Sequence, residues 1–205
     1  MDIQLYAIHV VPFVIIVYAI AVLFIRPTRT VWLASLAGGL VMAIMNALVD
    51  LLAHYASWWH YTASGLILQL PLPFYITPML IYGGIVYMLI WRFSQGPEAD
   101  KRRWLVLIFL IGVPLIGFGR DLLDVVVTQA SFLVWDSPLA GPIDFVLWVA
   151  MFFVGYIVFK WLLSRALGDE DDGLLEGEGE GEDSFRDEGD RKGHRLTSTP
   201  LPPLQ

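Results

Sequence analysis

Cysteine is absent from this 205-residue chain. Its absence excludes disulfides, thiolate metal sites, iron–sulfur clusters and a cysteine nucleophile, and identifies no compartment by itself. Charge is scarce as well: 16% of the residues are Asp, Glu, Lys or Arg, where a soluble domain carries about a quarter. With 57% hydrophobic residues and a mean hydropathy of +0.63, the composition argues against a soluble globular protein. The few bases stand singly or in one short run beside apolar segments, so there is no basic face and no nucleic-acid partner is expected. Also missing are Gly-x-Ser-x-Gly, a phosphate-cradling Gly-Lys-Ser/Thr and His-Glu-x-x-His.

What charge there is sits unevenly. Gly168 to Gln205 holds 12 of the 20 acids and 4 of the 13 bases, a net of −8, which leaves the rest of the chain at +1. This acidic, Gly-rich and finally Pro-rich segment cannot bury enough apolar surface to offset ordering entropy, so 168–205 is expected to be a disordered, solvated tail.

The body, 1–167, reads as an all-α membrane protein of about five transmembrane helices. Ile3 to Ile25 carries no charge, and its 23 residues reach roughly 34 Å as a helix, enough for a hydrocarbon core of about 30 Å. A cleaved signal peptide is the competing reading, but no base precedes the stretch and Arg26 follows it. A second span is expected over 31–53. Leu51 to Trp91 then runs 41 residues without a formal charge, too long for one helix and too short for two spans with a loop. Pro71, Pro73 and Pro78 divide it, because proline breaks the helical hydrogen-bond ladder. The expected outcome is a broken or re-entrant segment near 62–78 and a third span over 73–91. Spans four and five are expected over 104–126, with Pro114 as a kink, and 142–163, opened by Pro142 and Asp144.

Bases fall after spans one, three and five: Arg26 and Arg29, then Arg92 and Lys101 to Arg103, then Lys160 and Arg165. The positive-inside rule therefore predicts a multi-pass plasma-membrane protein with its amino terminus outside and its carboxyl terminus in the cytoplasm. Trp32, Trp91, Trp104 and Trp161 would mark the cytoplasmic interface; Tyr6, Trp58, Trp59, Tyr61 and Trp135 would mark the outer one.

A shift of 74 residues sets Gly38 on Gly112, Asn46 on Arg120, Asp50 on Asp124 and Ala56-Ser57 on Ala130-Ser131. A shift of 71 sets Pro71 to Phe74 on Pro142 to Phe145, and Gly84 on Gly155. Apolar segments match one another easily, so chance competes with duplication. A real duplication makes the chain one span plus two parallel helical-hairpin repeats, with a site between the halves.

Polar residues inside spans are costly, so each is a candidate for function. Asn46, Asp50 and His54 recur every fourth position and share one helix face, as do Arg120 and Asp124, with Asp121 beside them. By helix rise they lie at similar depth towards the outer boundary, with His9, His60, Gln69 and Asp144. The plainer reading of Arg120 and Asp124 is an i, i+4 pair; the alternative has Arg120 bridging Asp50 and Asp124 across the halves. Asp50 has no Lys or Arg within four residues and is the most informative position. His9, His54 and His60 have no ligand spacing and read as packed or interfacial histidines, so neither a metal nor a cofactor is assigned.

The order Asp50, Trp58-Trp59-His60-Tyr61, Pro71-Leu72-Pro73-Phe74-Tyr75, and later Pro142-Ile143-Asp144-Phe145, resembles the membrane-type lycopene cyclases and related small carotenoid-modifying proteins. In that family each half carries a Pro-x-Glu-Glu segment followed by aromatics; here the first place reads Pro73-Phe74 and the second retains one acid, Asp144. The likeness runs from about Val31 to Leu163. It implies a scaffold for an isoprenoid, carotenoid-like or other long apolar lipid, and a cyclase- or isomerase-like activity if the protein is an enzyme. On it Asp50, Asp124 and Asp144 are the candidate catalytic acids, and Asn46, His54, Trp59, Tyr61, Phe74 and Arg120 the candidate substrate-binding residues. Two alternatives stand beside it. One is a non-enzymatic binding or transport subunit, acting as a homo-oligomer or with a partner membrane subunit. The other is a prenyltransferase-like enzyme, in which Asp121-x-x-Asp124 would hold magnesium on a diphosphate.

Overall fold

The computed structural model describes residues 3–127 and 132–179, with side chains described through 126 and over 132–166. Among the described residues, five helical segments are long and apolar enough to cross a membrane. They are α1 (Ile3–Ile25), α2 (Arg29–Tyr55), a third segment, Leu72–Phe93, which ends in α3 (Val86–Phe93), α4 (Arg103–Val127) and α5 (Ala140–Gly179). Large apolar side chains such as Phe13 and Leu23 of α1, and Ile111 and Leu123 of α4, are exposed, as suits a surface that meets lipid. The chain divides into two units, Met1–Ser164 and Arg165–Gln205.

Helix α2 starts where Thr28 accepts a hydrogen bond from the Val31 amide, after a turn in which Arg26 has a φ of 50°. The third segment is broken, as its prolines require. A 3₁₀ turn, Leu72–Tyr75, leads into a π-helical stretch, Pro78–Ile85, before α3. The stretch before it forms no re-entrant helix. Ile67 and Leu70 exchange backbone hydrogen bonds of 3.0 and 3.1 Å around Leu68 and Gln69, whose φ angles are 54° and 63°, making a tight hairpin turn. Helix α4 runs through Pro114. Composition predicts an unfolded tail from Gly168, whereas the backbone of α5 stays helical to Gly179. Extending a formed helix adds one hydrogen bond per residue without a new nucleation cost, so acidic composition alone does not end it. Residues 180–205, the rest of that expectation, lie outside the described residues.

The core joins α2, the third segment and α5. Tyr87, Met42, Trp148, Phe152 and Phe159 are almost fully buried there, and the Tyr87 hydroxyl donates to the Phe152 carbonyl at 2.7 Å. Glycines set the spacing: Gly39 of α2 lies directly on the Met79 carbonyl and on Gly83 of the π-helical stretch, and a Cβ at Gly38 would stand 2.6 Å from the Gly155 carbonyl of α5.

At one end of the bundle β1 (Trp59–Tyr61) pairs antiparallel with β2 (Leu133–Trp135), in the register Trp59 with Trp135, His60 with Val134 and Tyr61 with Leu133. The start of α1 reaches the same end through the Ile3 amide, 3.3 Å from the Ser64 carbonyl. The ladder bears on the repeat. The 74-residue offset carries β1 onto β2, and an antiparallel pairing of equivalent strands is what a two-fold axis through the central pair produces. Asp50 and Asp124 each reach a residue nine positions on, the Trp59 indole and the Leu133 amide. The match of Ala56-Ser57 with Ala130-Ser131 falls outside the described residues.

Candidate functional site

Next to the ladder lies a cavity of about 210 Å³ walled by α1, α2, the broken start of the third segment, α4 and both strands. Of the residues that the sequence singles out, Asn46, Tyr61, Phe74, Arg120 and Asp124 line it. Asp50, His54, Trp59 and Asp144 do not. Tyr6, Tyr75, Pro78, Asp121, Phe132 and Leu133 complete the wall.

Asp50 stands behind the wall rather than in it. It is 5% exposed and accepts hydrogen bonds from the Trp59 indole at 3.1 Å, the Tyr61 hydroxyl at 2.8 Å and the Tyr75 hydroxyl at 2.9 Å. Three donors offset much of the cost of burying a carboxylate, and they are found without any cation. Burial, with the Asp50 charge adding to it, holds the Tyr61 phenol well above its ordinary pKa, so it acts as a donor. Asp50 thereby fixes two of the phenols that face the cavity.

Arg120 bridges neither Asp50 nor Asp124. Its Nε and Nη2 both donate to Oδ1 of the adjacent Asp121, at 2.9 and 2.6 Å, and its guanidinium lies 5.6 Å from the centre of the Trp148 ring. Asp121 Oδ2 accepts from the Trp148 indole at 2.7 Å. Asp124 is drawn the other way: its Oδ2 takes the amides of Phe132 and Leu133 at 3.0 and 2.9 Å, which anchors β2 to α4. The i, i+4 pair is therefore replaced by an i, i+1 pair, because the loop amides hold Asp124. The Arg120 side chain is 45% exposed and that of Asp121 15%, and both line the cavity.

The pairing gives a test. Arg120→Leu leaves the Asp121 charge without its ion partner and should cost about 1–3 kcal/mol. Adding Asp121→Asn, which keeps an acceptor for Trp148, should restore most of the stability, whereas adding Asp50→Asn should not. Thermal melting of the detergent-solubilised double variants distinguishes the two; rescue by Asp50→Asn would return Arg120 to a bridging role.

Asp144 is 6% exposed on α5, and among the described residues its Oδ2 has no hydrogen-bond partner. Asp144 and Trp148 are four residues apart and share the face that carries Trp148 to Asp121. The histidines serve locally: His9 Nδ1 is 2.9 Å from the Leu5 carbonyl, His60 pairs with Asp136 at 2.8 Å beside the ladder, and His54 packs edge-on against Tyr55.

The opposite wall is aromatic. Phe74 contacts Tyr6 and stacks on Phe132, with ring centres 3.8 and 4.5 Å apart, and Phe132 in turn meets Tyr61 at 5.2 Å. Phe132 and Asp121 are the lining residues that sequence reasoning undervalues. Asp121 follows Arg120 directly, and neighbours at i, i+1 do not face each other on a helix; Phe132 lies in a loop without a motif. The Tyr6 hydroxyl, 2.9 Å from Thr77 Oγ1, ties α1 to the same wall. Compared with family models, with curated proteins and with solved structures, the chain matches none.

Proposed function

We propose that this multi-pass membrane protein binds the polar end of a long apolar lipid, isoprenoid- or carotenoid-like in character, at the outer side of the plasma membrane. The observation that carries the reading is the cavity itself, which sets Asn46, Arg120 and Asp121 against the aromatic wall of Tyr6, Phe74 and Phe132. Its volume of about 210 Å³ lies below the roughly 300–1,000 Å³ of sites that enclose a whole drug-sized ligand. It suits a head group, with the apolar remainder lying among lipids or along the helices. Binding without turnover is better supported than a cyclase-like reaction. Such chemistry needs a proton donor at the ligand, and Asp124, the candidate acid that lines the cavity, is engaged by loop amides.

The test is lipid retention. The full chain, purified in polymer-bounded native membrane discs, should retain one class of long apolar lipid by mass spectrometry. Asn46→Phe, which fills the cavity, should lose that class while remaining folded. Identical lipid profiles would remove the basis of the reading.

The orientation rests on the bases after spans one, three and five. Single cysteines at Thr28 and Gly96 should resist an impermeant thiol reagent applied to intact cells, and one at Pro138 should react; the native chain has no thiol to interfere. The reverse pattern would invert the protein.

A further inference from the structure

Most polar hydrogens of the cavity wall are already spent. Tyr61 and Tyr75 give their hydroxyl protons to Asp50, and the Tyr6 hydroxyl is bound to Thr77. Arg120 gives Nε and Nη2 to Asp121, but its Nη1 makes no hydrogen bond among the described residues. Asn46 is the other exception. It stands one helical turn before Asp50 on the same face of α2. Where Asp50 collects three donors, the Asn46 amide has no hydrogen-bond partner among the described residues. Both side chains line the cavity, and both belong to segments long and apolar enough to cross a membrane. Lipid offers an N–H no partner there, so donors left over in such a wall call for a ligand that accepts.

Charge narrows the acceptor. Among the described residues, Arg120 is the one base lining the cavity, and its charge is already shared with Asp121, whose other oxygen takes the Trp148 indole. An anionic head on Nη1 would set a second negative charge on one guanidinium, beside the Asp121 carboxylate and partly withdrawn from water. A cationic head would meet the guanidinium itself. A neutral oxygen avoids both penalties. Two N–H groups brought by two helices, α2 and α4, match the two lone pairs of a carbonyl, while Phe74, Pro78, Phe132 and Leu133 line the cavity with carbon.

We propose that the group held in this cavity is a neutral carbonyl at the end of the apolar chain, its oxygen accepting from Arg120 Nη1 and the Asn46 amide. This rests on the lipid-end reading above and names the chemistry of that end. Quinones and esters both offer such an oxygen without charge.

Four probes with tails of similar length test it on the purified full chain in native membrane discs: methyl hexyl ketone, heptanoate, hexylammonium and octane. The ketone should raise the melting midpoint saturably and more than the other three, and its carbonyl stretch should move to lower frequency on binding. That comparison needs no variant. Asn46→Leu, which keeps the side-chain volume, should weaken the ketone response about threefold to tenfold, as loss of one hydrogen bond does, and leave any octane response unchanged. Hexylbenzoquinone and hexyl acetate extend the series: a stronger response to the first supports the inference with a quinone as the source, and a stronger response to the second supports it with an ester. Preference for heptanoate or hexylammonium would overturn it, as would a ketone response that Asn46→Leu leaves intact. An equal response to octane would overturn it and leave the lipid-end reading standing. No response to any probe would overturn it as well, and the lipid-end reading would fall with it only if Asn46→Phe also left the retained lipids unchanged.

Discussion

Asp50→Leu should destabilise the protein by about 3–6 kcal/mol, because it leaves three buried donors, the Trp59 indole and the Tyr61 and Tyr75 hydroxyls, without their shared acceptor. Each stranded donor costs about 1–3 kcal/mol, and hydrogen bonds to a charged group lie at the upper end. Removing a buried charge returns part of that sum. The loss is still a large fraction of the roughly 5–15 kcal/mol that keeps a domain folded. For a chain of this size the melting midpoint should fall by about 10 °C or more. Asp50→Asn keeps one acceptor oxygen and should fall less. The diagnostic is non-additivity: Tyr75→Phe should be harmful in the wild type, where it removes a bond, and beneficial in Asp50→Leu, where it removes an orphan. Additive effects in that cycle would mean that the hydrogen bonds are not formed.

The second large effect should come from Gly39→Ala. A methyl group there meets the Met79 carbonyl of the π-helical stretch, with the Gly84 amide nitrogen at 3.2 Å, and Gly83→Ala would strike the Gly39 backbone in return. Both obstacles are main chain, so no flexible side chain can swing aside, and α2 must separate from the third segment. That should cost about 3 kcal/mol or more, the top of the usual range for overpacking. Gly119→Ala is the control. Nothing lies within 4 Å of a Cβ at that position of α4, so the same substitution should be neutral or stabilising by up to about 1 kcal/mol through helix propensity. The folded fraction after heating, read by size-exclusion chromatography, should collapse for Gly39→Ala and hold for Gly119→Ala. Equal behaviour of the two variants would refute the close approach.

The five spans were legible because long apolar runs with few charges are the strongest signal that a membrane protein writes into its sequence. The expected 73–91 and 104–126 lie inside the observed segments Leu72–Phe93 and Asp100–Val126. The ladder was not legible. Three residues are too few to show an alternation, and the partner of Trp59 is Trp135, far along the chain. By sequence Trp59 and Tyr61 are interfacial aromatics and candidate ligand contacts, yet each gives its polar atom to Asp50. Coulombic pairing is readable from spacing, whereas a phenol arriving from another element is not. Arg120 illustrates the converse. Spacing favoured Asp124, but the amides of Phe132 and Leu133 compete for that carboxylate, and competition from a loop leaves no periodic trace. Asn46, Arg120 and Asp124 do line one cavity, because intramembrane polarity is expensive enough to be conspicuous.

The hydrogen bonds of the acids also bear on how the chain is made. Asp50 is satisfied by residues 59, 61 and 75, all in the first half, while Asp121 is satisfied by Arg120 and Trp148 and Asp124 by the amides of Phe132 and Leu133, all in the second. Each hairpin can therefore leave the insertion machinery with its own carboxylates engaged, before the other exists. Asp144 is the exception: among the described residues its buried Oδ2 has no hydrogen-bond partner in either half. Biogenesis should thus proceed through two separately stable inserted intermediates, with the cavity appearing at the last step of assembly.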